Sequence, residues 1–135
     1  MCIRDSSMID YFTPNETEAS FYVDHNVETH EDAEKAAIQL LEKGIKNVVI
    51  TLGEKGAFFA NNDEKFSLPI ANLSNPVVDT TGAGDAFNAG FAAALTEGQN
   101  IKDALKFASA TAGLSTTKIG TANSMPSREE IDKLL

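Results

Sequence analysis

The stretch VVDTTGAGDAFNAG at 77–90 constrains this chain more than any other. A short apolar run, Val77 and Val78, ends in Asp79-Thr80-Thr81. A glycine turn follows (Gly82-Ala83-Gly84), and Asp85 then opens a helix rich in alanine. Glycine lets the backbone turn sharply and come close to a ligand. The N–H groups that start a helix have no partner within it, and they lie at the positive end of its dipole, so they form an anion site. A carboxylate beside such a site is what phosphoryl transfer to a hydroxyl needs: amides hold the charge and Asp85 accepts the proton. The same residues also suit a purely structural role, a tight turn with Asp85 against the helix dipole, worth about 0.3–1 kcal/mol. Two other glycine patterns are excluded. The P-loop needs a Lys that the turn lacks, and the dinucleotide pattern GxGxxG meets Phe87 where its third glycine belongs.

The remaining chain alternates strands and helices. MIDYFT at 8–13 reads as a strand that Pro14 ends, and Asn15 as the N-cap of a short helical turn through Glu18. Residues 21–28 read as a loop. His25 and His30 stand apart from any metal-ligand spacing and read as surface histidines. An amphipathic helix covers 29–43, with Ala33, Ala36, Ala37, Leu40 and Leu41 on one face and Gly44 just beyond it. NVVITL at 47–52 is a buried type of strand. It runs into Gly53-Glu54-Lys55-Gly56, and strands at 57–60 and 66–70 then pair across a polar turn at 61–64. Beyond the central stretch, helices are expected over 86–96 and 101–111, with Phe87, Phe91 and Leu95 as core. Residues 115–124 read as a loop, and Ser127 to Glu130 as a capping box opening a last helix. The alternation indicates an α/β fold with a mainly parallel sheet.

Composition narrows the partners. The 135 residues carry a formal charge of −9, which speaks against nucleic acid as a ligand. No apolar run approaches the roughly 20 residues of a membrane span. Cys2 is the only cysteine, so no internal disulfide can form; a reducing cytoplasm is compatible with that. MCIRDSS at 1–7 reads as a foreign or disordered leader, leaving 8–135 as the folded part.

Four segments together carry a resemblance: TPNETEA at 13–19, TLGEKGAFF at 51–59, DTTGAGDAFNAGF at 79–91 and TTKIGTANSMP at 116–126. The chain resembles the ribokinase (PfkB) family of carbohydrate kinases, and within it the ribokinases. The resemblance implies a ribokinase-like three-layer α/β/α sandwich, of which 8–135 is the C-terminal, nucleotide-binding half. It implies ATP as phosphoryl donor, with Asn15 near the nucleotide and Glu18 ordering Mg²⁺ through water. Thr51, Gly53, Glu54, Lys55 and Gly56 would line the ATP site, and Ser109 would lie near the base. In the turn that Gly82 begins, the backbone amides of Ala83, Gly84 and Asp85 would hold charge on the transferred phosphoryl group, and the Asp85 carboxylate would be the general base on a sugar hydroxyl. A K⁺ site would be formed by Asp79, Thr81, Ser115, Lys118 through its carbonyl, Gly120 and Ser124.

The reaction so implied turns D-ribose and ATP into ribose 5-phosphate and ADP, in the cytoplasm, with a homodimeric parent enzyme. Fructose or a nucleoside as acceptor, or a nucleotide-binding module without catalysis, are the alternatives. The residues that select the sugar belong to the other half, so the chain alone is expected to be inactive on ribose. Open sheet edges are expected to make it fold poorly.

Overall fold

The computed structural model describes residues 3–135, with side chains from Ser6 onward; Cys2 lies outside the described residues. The chain forms two compact units, residues 1–69 and 70–135.

The first unit contains a 3-10 turn (Ile3–Met8), β1 (Tyr11–Phe12), α1 (Glu16–Tyr22), α2 (His30–Glu42), β2 (Asn47–Thr51), a 3-10 turn (Gly53–Lys55), β3 (Ala57–Asn61) and β4 (Lys65–Leu68). The sheet order is β1-β2-β3-β4. β1 pairs with β2 in parallel, whereas β2–β3 and β3–β4 are antiparallel. The sheet is therefore mixed. The physical reason is loop length: a short turn can only return the chain antiparallel, whereas the parallel β1–β2 pair is bridged by α1 and α2. Val48, Val49 and Ile50 are fully buried, and the Ala33, Ala36, Ala37 and Leu40 face of α2 closes over Val48, Ile50, Phe58 and Ala60. Gly44 takes a φ of 97°, the left-handed conformation that stops α2 where the sequence suggests.

Three expectations need correction here. Residues 3–7, read as leader, and Met8, read as the start of a strand, form a 3-10 turn in which the Ser6 hydroxyl donates to the Lys43 carbonyl. Helix α1 includes Phe21 and Tyr22, read as loop; Tyr22 stays in the helix because its ring packs edge-on against Phe12, 5.4 Å away. The histidines are half-buried and engaged: His25 Nε2 lies 3.2 Å from the Asp32 carbonyl and His30 Nε2 2.9 Å from that of Lys55.

The second unit contains α3 (Ala83–Thr96), α4 (Ile101–Ser115), a 3-10 turn (Ala122–Ser124) and α5 (Arg128–Leu134). α3 and α4 form a hairpin around Ala86, Phe87, Gly90, Phe91, Ala94, Ala104, Leu105 and Ala108. The helices meet closely at Gly90, where a Cβ would stand 2.6 Å from Thr111 Oγ1 and 3.1 Å from Ala108 Cα. α4 runs four residues beyond its expected end at 111, and the Thr111 and Ser115 hydroxyls bond back to Phe107 and Ala112 carbonyls. Arg128 fixes α5, with its guanidinium 4.8 Å above the Phe107 ring and paired with Glu97 at 2.5 Å. Val77 and Val78 are 58% and 54% exposed and lie in irregular chain, with no strand between 70 and 82.

Candidate active site

Among the described residues, each of the five α-helices carries an acidic residue at its third position: Glu18, Asp32, Asp85, Asp103 and Glu130. In four of them this carboxylate is bonded to the N-cap residue. Glu18 and Asn15 exchange bonds of 3.0 and 2.9 Å, and Thr29–Asp32 and Ser127–Glu130 form the same reciprocal box. The Asp103 carboxylate accepts from the Asn100 side-chain amide at 2.8 Å. α3 is the exception. Its N-cap is Gly82, at φ 77°, which has no side chain to offer. Among the described residues no hydrogen bond or ion pair engages the Asp85 carboxylate, and the residue is exposed.

The backbone around Asp85 is open as well. The left-handed Gly82 tightens 80–83 into a turn in which the Ala83 N–H donates to the Thr80 carbonyl at 3.2 Å. Ala83 is thereby removed from the expected anion hole. No described hydrogen bond uses the N–H of Gly82, Gly84 or Asp85, so three donors remain unengaged beside the carboxylate. Gly84 is not in a left-handed conformation, and a Cβ built on it would meet nothing within 4 Å. Its lack of a side chain therefore leaves the approach to these donors clear.

Asp79 holds the turn in place. Its Oδ1 accepts from the Thr81 N–H and its Oδ2 from the Gly120 N–H, both at 2.9 Å. Bonds from the Gly120 amide, the Thr81 hydroxyl and the Thr81 amide favour the ionised form and bring its pKa down to about 2. The Val78 and Asp79 amides add bonds of 2.8 and 3.1 Å to the Thr116 carbonyl. The structure thus brings Asp79, Thr81 and Gly120 together. Lys118 turns its ammonium away to Glu130, 3.1 Å distant, and Ser124 is fully buried with its hydroxyl on the Thr121 carbonyl. No described hydrogen bond uses the carbonyl oxygens of Ser115, Lys118 or Gly120.

In the first unit, Thr51 ends β2, and its amide donates to the Pro14 carbonyl at 3.0 Å, which brings Asn15 alongside in a bridge. Asn15, Glu18 and Thr51 are therefore neighbours. Gly53 and Gly56 have φ of 53° and 89°, and they set a tight exposed turn carrying Glu54 and Lys55. Ser109 is half-buried on α4. The bonds from His30 and from Val78 and Asp79 gave no sequence signal, because all depend on backbone carbonyls. The recurring acid three residues after each cap is visible in the sequence, and the glycine that breaks that pattern points to Asp85.

Residues 2–128 match the family described as pfkB family carbohydrate kinase. The chain is 43% identical over 124 residues to ribokinase of Haemophilus influenzae, an alignment covering 92% of this chain and 40% of that protein. It is 37% identical over 126 residues to deoxyribokinase of Salmonella typhi, covering 93% and 40%. The structure of Arabidopsis thaliana ribokinase complexed with ribose and ATP is similar at a TM-score of 0.92 and 36% identity, covering 98% of this chain and 43% of that one. This chain thus spans about two fifths of the length of the curated relatives it matches. Matched along almost its whole length, it belongs to the pfkB family of carbohydrate kinases.

Proposed function

We propose that this chain carries the nucleotide-binding and phosphoryl-transfer residues of an ATP-dependent sugar kinase, with D-ribose as acceptor. The observation that carries this reading is Asp85, the one acid at the third position of a helix among the described residues whose carboxylate has no partner, set beside the free amides of Gly82, Gly84 and Asp85. Asp85 takes the proton of the sugar's primary hydroxyl as that oxygen attacks the γ-phosphorus, and the bond from that phosphorus to the bridging oxygen breaks, releasing ADP. The amides offset charge gathering on the transferred group, a role usually among the largest in catalysis. In the first unit, Asn15, Thr51 and the turn 53–56 are assigned to the nucleotide; in the second, Ser109 is assigned to its base. ATP as donor supports a cytoplasmic setting. The similarity to a deoxyribokinase supports 2-deoxyribose as a second reading.

Two ions fit the residues present. One Glu18 oxygen is used in the cap and the other has no described partner, so Glu18 can reach Mg²⁺ through water, a common arrangement for that ion. The ionised Asp79 and the unused carbonyls of Ser115, Lys118 and Gly120 form an all-oxygen donor set suited to K⁺. Mg²⁺ would neutralise phosphate charge, and K⁺ would add positive potential near the amides.

Calorimetric titration of the 135-residue chain with ATP and Mg²⁺, in potassium and then in sodium buffer, tests the reading. Binding that weakens in sodium is expected. A folded chain that binds ATP in neither buffer refutes the nucleotide assignment, and equal binding in both refutes the K⁺ site. Ribose phosphorylation by these residues alone is expected to be absent, because holding two substrates together supplies about 7–11 kcal/mol of the acceleration.

A further inference from the structure

We propose that His30 is a positioning residue that holds the nucleotide-facing turn 53–56 in its binding conformation; this rests on the assignment of that turn to ATP. The turn cannot be held by packing, because none of Gly53, Glu54 and Lys55 is buried. Its internal bonds are few: Lys55 N–H to Leu52 O at 3.0 Å, Gly56 N–H to Gly53 O at 3.1 Å and Leu52 N–H to Gly56 O at 2.8 Å. Exposed segments with few buried contacts open readily. Two bonds reach across 25 and 27 residues to anchor this one. His30 Nε2 lies 2.9 Å from the Lys55 carbonyl, and Lys55 Nζ donates to the Glu28 carbonyl at 2.7 Å. Lys55 is gripped through its main chain by one and its side chain by the other.

The tautomer follows from the surroundings. A carbonyl can only accept, so Nε2 carries the proton. Nδ1 is buried with no partner, which suits a bare lone pair rather than a second N–H. The anchor itself is firm: His30 is the first residue of α2, beside the Thr29–Asp32 box, on a helix whose apolar face is fully buried. A support of this kind, rigid and one step removed from the ligand, is how an exposed binding loop is kept ready. Both bonds end on Lys55, within the turn assigned to the nucleotide, so His30 acts through Lys55.

The test compares wild type with His30→Ala and His30→Gln, since a glutamine amide can place an N–H near the Nε2 position. In His30→Ala, amide exchange at Lys55 and Gly56 is expected to quicken by roughly tenfold, with β2 and β3 unchanged. ATP affinity is expected to fall roughly three- to tenfold. His30→Gln is expected to restore both. Unchanged exchange at 55 and 56, or exchange quickened equally in β2 and β3, overturns the proposal. So does a loosened turn that binds ATP as tightly as wild type. If wild type itself binds no ATP, the assignment of the turn to nucleotide fails, and the exchange data still decide whether His30 holds it.

Discussion

Helix α3 holds two glycines six residues apart, and the same substitution is expected to act oppositely on them. At Gly90, a new Cβ would lie 2.6 Å from Thr111 Oγ1, 2.9 Å from Thr111 Cβ and 3.1 Å from Ala108 Cα. Thr111 cannot easily swing aside, because it is β-branched and buried, with its hydroxyl on the Phe107 carbonyl at 2.8 Å. Ala108 Cα is backbone, so α3 and α4 must part by several tenths of an ångström. Overpacking of this kind costs about 1–3 kcal/mol, against which alanine recovers up to about 1 kcal/mol of helix propensity. Gly90→Ala should therefore lose about 1–2 kcal/mol net and lower the melting temperature by roughly 3–8 °C. At Gly84 the new methyl meets nothing, so stability should stay within about 0.5 kcal/mol of wild type. The methyl would instead stand where a phosphate approaches, weakening ATP by about tenfold or more, which is 1.4 kcal/mol. Thermal melts followed by circular dichroism, with ATP titrations on the same samples, separate the two effects. Equal loss of stability in both variants, or wild-type ATP binding in Gly84→Ala, would refute the reasoning. Thr111→Ala added to Gly90→Ala should recover part of the loss, because the 2.6 Å contact goes while the Cβ contact stays.

Two further outcomes follow from the site. In an assembled kinase containing this chain, Asp85→Asn should lower turnover on ribose by about 10²–10⁴-fold, with ATP affinity little altered; a change of only a few-fold, with the side chain in place, rules out the general base. Asp79 titrates lower folded than its ordinary value of 3.8, at about 2, so its contribution to stability is complete above pH 3.8 and is lost as the pH falls towards 2. Following the Gly120 amide by NMR should give a midpoint near the lower value, and a midpoint at 3.8 would mean that the bond to Gly120 is absent in solution.

Local signals made most elements legible. The spacing of Ala33 to Leu40 and the glycine at 44 mark α2 because each acts within a turn or two of chain. The β-branched run in β2 and the polar turn at 61–64 act over similarly short range. Residues 3–8 were not legible, since their place depends on the Ser6 bond to Lys43. Nor was the end of α4, where hydroxyls at Thr111 and Ser115 satisfy carbonyls of the preceding turn. Val77 and Val78, an apolar run by composition, lie in irregular chain and pair in no described ladder.

The sequence by itself determined which chemistry is present. A glycine turn leading to Asp85 is a local pattern, and its amides and carboxylate follow from covalent order. The tertiary structure decided which of those groups are available. Ala83 spends its N–H on Thr80, Glu18 shares its carboxylate with a cap, Asp79 reaches across 41 residues to Gly120, and His30 finds a carbonyl 25 residues away. Availability is a matter of which donors and acceptors are left unmatched once the chain has folded, and backbone groups, identical at every residue, leave no mark of their partners in the sequence.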